Sequence, residues 1–441
     1  MLGWMSEREF DLVVFGATGV TGRRAAAYLC ERADELGRAW AAAGRDPGKV
    51  RRILAEDGHA APAVIAADVE DGRSLRRMAA SAKTVVNLVG PYSRYGEAVI
   101  EACVGARTHY VDASGEIPFV RRMIDRFDAP SREAGIKIVQ VSGFESLPAD
   151  VGVALAAQAA RDRWDEPLAA AELKLSVSEF PPGRPRVSDM LSGGTLQSMV
   201  EGTRDPDASG LTDPGHLIES RDDARAVRAR SPIRLRVHRG ADGVLAPMLP
   251  FAFINPAVVH RSAAMLAAER GEVFEPFSYR EAALIGSGGS VGPLHYAAAA
   301  ALVGVQAMIA ATSRRGPAFR AAASRAMARV FPGSGYGPAA DRLGWVWRLE
   351  ISARASGGAR VTVNVDGVGH PGYLATSRII GEAGLLLAEE GATPRRHGCL
   401  TPALALGTSA VARFERAGLS FSVTEGGEAH RAVGSAAVVA S

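Results

Sequence analysis

One stretch constrains this chain more than any other: Phe10 to Phe15 (FDLVVF), followed at once by Gly16 to Gly22 (GATGVTG). A valine-rich run ending on a glycine turn, with helix-compatible residues from Val20 to Leu36 behind it, predicts strand, turn and helix. Each glycine has a separate task in such a turn. Gly16 permits the tight bend, Gly19 lets the backbone approach a pyrophosphate, and Gly22 allows the helix to pack closely on the sheet. Ala17, Thr18, Val20 and Thr21 complete the loop. The unpaired N–H groups and partial positive charge of the helix N-terminus then attract phosphate. The spacing is GxxGxxG rather than GxGxxG, as in short-chain and related reductases. A glycine turn can also be structural only, but its place between strand and helix favours a dinucleotide.

The alternation continues. Ala39–Ala43, Ala63–Ala67, Thr84–Val89 (TVVNLV), Thr108–Asp112 (THYVD) and Ile136–Val141 (IKIVQV) predict strands. Arg73–Ala82 and Tyr95–Gly105 predict helices between them, and the pattern implies a parallel sheet covered on both faces. After Asp150 the texture changes. Val151–Arg163 predicts a helix leading onward. Glu172–Ser178, Ile233–His238, Trp345–Ala353 and Val361–Asp366 then alternate apolar and polar residues, as strands with one buried face do. Glu201–Arg230 predicts long surface loops, and Tyr373–Glu390 a helix able to return to the first domain. The fold class expected is α/β: a Rossmann-type parallel-sheet domain over 8–150, a mixed α/β substrate or oligomerisation domain over 151–372, and a C-terminal segment over 373–441.

The tip of the second strand selects the cofactor. NAD-binding domains usually place an acid there for the ribose 2′-OH, whereas this chain has Ala43-Gly44-Arg45. A guanidinium at that point can pair with a 2′-phosphate, which predicts NADP. Asp46 would oppose that choice if the strand boundary slipped by one residue. Asp68, after the third strand, is expected beside the adenine, or else is a turn residue. Gly90-Pro91-Tyr92 with Tyr95, Ser114-Gly115-Glu116 and Gly143 to Pro148 (GFESLP) leave the C-terminal ends of later strands, where open α/β sheets bind ligands. Each can be plain turn chemistry, but together they predict the surroundings of a nicotinamide. Tyr92 is the first candidate for proton donor or enolate hydrogen bond, with Tyr95 and Glu116 behind it.

Several chemistries drop out. No tyrosine has a lysine four residues later, so the Tyr-x-x-x-Lys machinery of short-chain dehydrogenases is missing; G-x-S-x-G and HExxH are also absent. Nine scattered histidines and three distant cysteines, Cys30, Cys103 and Cys399, give neither ligand spacing nor a disulfide framework. No metal is expected, and a reducing, cytoplasmic setting is. Only four residues of the 51 basic ones are lysine, leaving 51 − 4 = 47 arginines, yet no compact basic run interleaves with aromatics, so nucleic acid is set aside. The first ten residues carry Glu7, Arg8 and Glu9 and lack the apolar core of a signal peptide. Tyr296–Ala311 (YAAAAALVGVQAMIAA) is nearly all apolar and precedes Arg314 and Arg315, but falls short of the ~20 residues of a spanning helix. A buried helix is the plainer reading; a helix facing a membrane or an acyl chain is the sharper one.

Taken together, GATGVTG, AGR at the second strand tip, NLVGPY, THYVDASGE and SGFESLP resemble the saccharopine dehydrogenase-like oxidoreductases. The chain is most similar to their bacterial branch of trans-acting enoyl reductases. Ser192 to Thr195 (SGGT), Gly372 to Thr376 (GYLAT) and Leu400 to Ala403 (LTPA) extend the resemblance over nearly the whole chain. It implies an NADP-binding Rossmann domain joined to a mixed α/β domain. It further implies reduction of an α,β-unsaturated acyl thioester for a polyketide synthase that lacks its own enoyl reductase, in complex-lipid synthesis. Two alternatives stay open: another NADP-dependent reductase or saccharopine-type amino-acid dehydrogenase, which would need a site for a dicarboxylic conjugate, and a non-enzymatic NADP-binding or lipid-associated scaffold.

Overall fold

Strand and helix alternate through β1 (Phe10–Phe15), α1 (Val20–Glu35), β2 (Trp40–Gly44), α2 (Pro47–Glu56), β3 (Val64–Ala66) and α3 (Gly72–Ser81). They continue through β4 (Ala82–Asn87), α4 (Tyr92–Ala106), β5 (His109–Asp112), α5 (Ile117–Ala134), β6 (Lys137–Val139) and α6 (Leu147–Trp164). The structure is a computed structural model describing residues 8–59, 63–183, 193–287, 291–330, 337–425 and 428–431. The six strands lie parallel in the order β3-β2-β1-β4-β5-β6, which reverses direction between β1 and β4. That reversal opens a crevice at the C-terminal strand ends, where doubly wound sheets bind nucleotides. α2 and α5 form where no element is predicted. α2 starts at Pro47 with the Asp46 carboxylate accepting from the Lys49 amide at 3.0 Å, a cap and N1 proline in register.

The second half supplies β7 (Leu168–Glu179), α7 (Gly193–Arg204), α8 (Arg221–Arg230), β8 (His238–Arg239), β9 (Gly243–Ala246) and α9 (Asn255–Glu269). Then come β10 (Ser278–Ser287), α10 (Pro293–Ser313), α11 (Pro317–Val330), β11 (Val346–Ala355) and β12 (Arg360–Val368). The chain ends through α12 (Thr376–Ala388), β13 (Gly398–Leu400), α13 (Pro402–Leu406), β14 (Leu419–Glu425) and β15 (Glu428–Arg431). Eight strands form a mixed sheet, β15-β14-β12-β11-β7-β10-β9-β8, in which only β7 and β10 run parallel. The alternation expected for β11 and β12 holds. Trp347, Leu349, Ile351, Val361, Val363 and Val365 point inward, while Arg348 and Asp366 pair on the outer face.

Three expectations need correction. Glu201–Arg230 is not mainly loop: it holds the end of α7, a 3-10 turn at Ala208–Thr212 and α8. Ile233–Val237 pairs with no strand; the ladder is confined to His238 and Arg239. The run Tyr296–Ala311 lies inside α10, and the buried-helix reading fails, because only 22% of its most apolar window is buried.

The C-terminal segment divides. α12 packs on α1, β1, β4 and β5, and β13 extends the parallel sheet beside β6. β14 and β15 instead complete the second sheet. α12 is buried along its whole length. Its one carboxylate, Glu382, accepts from the Tyr28 hydroxyl (2.6 Å), Arg32 Nε (3.1 Å) and Arg413 Nε (2.9 Å). α6 is likewise buried on nearly all sides from Leu147 to Ala156, as a helix between two layers must be. It contacts β11 and β12 on one side and α9 and α13 on others. Asp150 in its first turn accepts from Ser262 Oγ (2.6 Å) and the Ala403 amide (2.8 Å), which places the LTPA segment against α6.

Candidate active site

The glycine turn has the form its sequence requires. Gly16 sits at φ +92°, in the left-handed region, and its carbonyl accepts the Gly19 amide at 2.9 Å. A β-carbon on Gly22 would lie 2.1 Å from the Gly16 oxygen, so only glycine lets α1 start this close to the turn. Gly19 is exposed and no acid occupies the first turn of α1. These features fit a pyrophosphate.

Arg45 follows β2 directly, is exposed, and makes no ion pair among the described residues. Asp46, the residue that argued for NAD, is committed to capping α2. The Asp68 carboxylate accepts the Glu70 amide at 3.1 Å, the geometry of a turn residue.

The three loops from β4, β5 and β6 converge on one cavity of about 470 Å³ between the two sheets. Thr21, Gly90 and Gly115 line it where it meets the glycine turn. Its far walls come from the second half, with Met248, Phe251, Ile285, Leu302, Ile309 and Trp345 among them. Among the described residues no lysine or arginine lines it. The GYLAT and SGFESLP segments meet here, because Thr376 Oγ1 accepts the Phe144 amide at 3.1 Å and donates to the Pro371 carbonyl at 2.9 Å. Of the SGGT segment, Ser192 lies outside the described residues, and Gly193 begins α7.

The candidate catalytic residues separate. Tyr92 lines the cavity, and its hydroxyl donates to the Asn87 carbonyl over a long 3.3 Å. Burial, then the nearby Asp112 and Glu145 carboxyls, hold its pKa well above the ordinary value. Glu116 also lines the cavity, but its two oxygens accept the Tyr92 (3.0 Å) and Ser93 (2.8 Å) amides. It caps the start of α4 through those two amides, while burial raises its pKa against the hydrogen bonds that lower it. Tyr95 does not reach the cavity wall; it lies further along α4, with the Arg94 guanidinium 5.1 Å from its ring centre.

Two further carboxyls complete the group. Asp112, at the end of β5, accepts from the Tyr110 hydroxyl (2.8 Å), the Ser114 amide (3.0 Å) and hydroxyl (2.8 Å), and the Val141 amide (3.2 Å). Burial nevertheless lifts its pKa to about 6. Val141 is held at φ +60°, rare for a β-branched residue, and the Asp112 bond secures it there. Glu145 lines the cavity and accepts the Gly143 amide at 2.7 Å. Burial, with Asp112 adding to it, pushes its pKa up to about 8, so at neutral pH it keeps its proton. The GFESLP motif marks this loop in the sequence and Glu145 is its one acid, but nothing local shows that the carboxyl faces the cavity.

The sequence is similar to known proteins over most of its length. The family model for the saccharopine dehydrogenase NADP binding domain matches residues 12–139. A Mycobacterium tuberculosis protein, provisionally named a trans-acting enoyl reductase, is 35% identical over 95% of this chain and 98% of its own length. A trans-acting enoyl reductase of Mycobacterium ulcerans is 31% identical over 95% of this chain and 99% of its own. Among solved structures, apo saccharopine dehydrogenase (L-Glu forming) of Saccharomyces cerevisiae aligns with 94% of this chain and all of its own. That alignment has 12% identity and a TM-score of 0.49.

Proposed function

The chain belongs to the trans-acting enoyl reductase branch of the saccharopine dehydrogenase-like NADP-dependent oxidoreductases, and from that premise we propose that it reduces the double bond of an α,β-unsaturated acyl thioester. The acyl chain is carried by a polyketide synthase without its own enoyl reductase, and the product enters lipid synthesis. The observation that carries this reading is the cavity wall: apolar, free of lysine and arginine among the described residues, and joined to the glycine turn. A dicarboxylic amino-acid conjugate buried there would meet the Glu116 and Glu145 carboxyls rather than cations. An acyl chain suits the same surface.

Bound NADPH would supply the hydride, delivered to the β-carbon of the alkene. Gly16 to Gly22 would hold its pyrophosphate at the start of α1, and Arg45 would pair with the 2′-phosphate. Glu145 holds a proton at its carboxyl in the cavity and gives it to the α-carbon, then regains one from solvent. Tyr92, whose hydroxyl donates to the Asn87 carbonyl over a long 3.3 Å, hydrogen-bonds the thioester oxygen in its place and so stabilises enolate charge. Glu116 acts through α4 as a positioning residue, fixing the Tyr92 backbone.

The test is NADPH oxidation by the purified chain with enoyl thioesters of rising chain length, beside an α-keto acid with an amino-acid amine, and NADP reduction with saccharopine. Turnover confined to the thioesters, improving with chain length, is expected. Turnover of the amino-acid pair alone would make the chain an amino-acid dehydrogenase. Tight NADPH binding with no turnover of either would leave a scaffold.

A further inference from the structure

α10 has two different faces. Inward, Ala299, Ile309 and Ala310 are buried, Gln306 Nε2 donates to the Pro247 carbonyl at 2.9 Å, and Leu302 and Ile309 line the cavity. Outward, Leu294 is 83% and Met308 57% exposed, and Phe319 at the start of α11 is 56% exposed. Tyr296 and Val305 are also exposed, with alanines between them. A soluble surface rarely leaves an apolar stripe of this length uncovered.

The charge pattern indicates what covers it. From residue 282 to residue 340 the sequence contains no aspartate or glutamate, while Arg314, Arg315, Arg320, Arg325 and Arg329 all fall within it. Arg320 is turned inward, but the other four are exposed at the end of α10 and along α11. Arg315 also lies 5.9 Å from the Phe319 ring centre, so basic and aromatic groups share the edge of the stripe. A second copy of this chain related by a two-fold axis would set this acid-free, arginine-rich patch against itself. An anionic lipid surface complements both features: the stripe enters the acyl region and the arginines meet the headgroups. At 21 residues the helix is long enough to span a bilayer, but its inner face is anchored on the fold, so it can only lie in the plane of the interface.

We propose that the outer face of α10 with the start of α11 docks the protein on an anionic membrane, placing the wall of the acyl cavity against the lipid. This reading does not depend on the reaction assigned above, because the surface can be tested without turnover. The full chain is sedimented with phosphatidylcholine vesicles, with and without about one-third phosphatidylglycerol. Each arginine near an anionic surface is worth roughly a fivefold gain in partitioning, so Arg314→Ser with Arg315→Ser should weaken binding about 25-fold. Met308→Glu with Phe319→Glu should abolish binding to both vesicle types, while NADPH affinity and melting temperature stay at the parent values. No binding of the folded parent protein to anionic vesicles would overturn the proposal. So would binding that both double variants leave unchanged. A dimer in solution that Met308→Glu dissociates would also overturn it, by assigning the face to a second copy.

Discussion

Glu145→Gln is the substitution that bears most directly on the chemistry. Burial lifts the Glu145 carboxyl to about 8, against an ordinary value of 4.5. At pH 7 about nine-tenths of the molecules then carry the proton, against about three in a thousand for an unshifted glutamate. A proton held in the cavity at neutral pH is what an acid for the α-carbon requires. Glutamine keeps the shape and the acceptor for the Gly143 amide but has no acidic proton to give. Loss of a positioned general acid costs about 10²- to 10⁴-fold in kcat. The parent rate should be flat below pH 7 and fall tenfold per unit above about 8. In the variant the remaining rate should lose that alkaline limb.

The same group gives an independent readout. Its folded pKa lies above its unfolded one, so folding takes up a proton between about pH 4.5 and about 8, and stability falls as pH rises through that window. Glu145→Gln should flatten this slope whether or not Glu145 is catalytic. Tyr92→Phe, measured alongside, should raise KM and lower kcat modestly while keeping the alkaline limb. A Gln variant within about threefold of the parent kcat, with the limb intact, would remove Glu145 as the acid. If Tyr92→Phe then took the larger loss, the proton would belong to Tyr92.

Other positions give separate tests. Arg45→Ala should weaken NADPH roughly ten- to a hundredfold, the worth of a charge-assisted pair of about 1.5–3 kcal/mol, and leave NADH unchanged; fluorescence titration measures both, and equal loss of the two would contradict a 2′-phosphate role. Glu382→Ala strands Arg32 and Arg413 and should cost about 3–5 kcal/mol in urea unfolding. Arg23→Ala, which breaks a partly exposed pair with Asp57, should cost no more than about 1 kcal/mol. Asp150, raised by burial to about 7 from 3.8, favours folding below pH 4 and loses that contribution as pH climbs to 7. Asp150→Asn should remove a decline on the order of 1–3 kcal/mol from the stability profile over that range.

What could be read from the sequence is what local chemistry decides. The glycine turn, β1 to its exact bounds and the alternation of strand and helix in the first half follow from residue types over short windows. Tyr95 was a poorer choice than Tyr92 for a geometric reason: α4 begins at Tyr92 itself, so Tyr95 sits within the helix body instead of on the loop facing the cavity. Glu145 could be located on its loop but not given its proton, which depends on enclosure by Trp345, Thr376 and others far away in sequence. The apolar run in α10 misled for a similar reason. Leucine, alanine and methionine at these spacings suit a core helix and an interfacial helix equally well, and only the placement of the surrounding elements decides which face is covered.

The alternatives to enoyl reduction meet the same physical obstacle. Asp112 and Glu116 are buried and Glu145 partly buried around Tyr92, and desolvation raises all three carboxyls. Keeping them there opposes stability at neutral pH, since an unfolded chain would ionise each one freely. A saccharopine-type substrate would add carboxylates to this cluster with no lysine or arginine among the described residues of the wall to meet them, which multiplies the desolvation cost. A scaffold that merely bound NADP would need the glycine turn and Arg45 but would gain nothing from a protonated acid facing an apolar cavity. A reductase that must protonate carbon beside a bound cofactor gains the proton itself. The cost in stability and the catalytic use fall on the same side chain, Glu145, which is why the pH dependence of rate and of folding should change together when it is replaced.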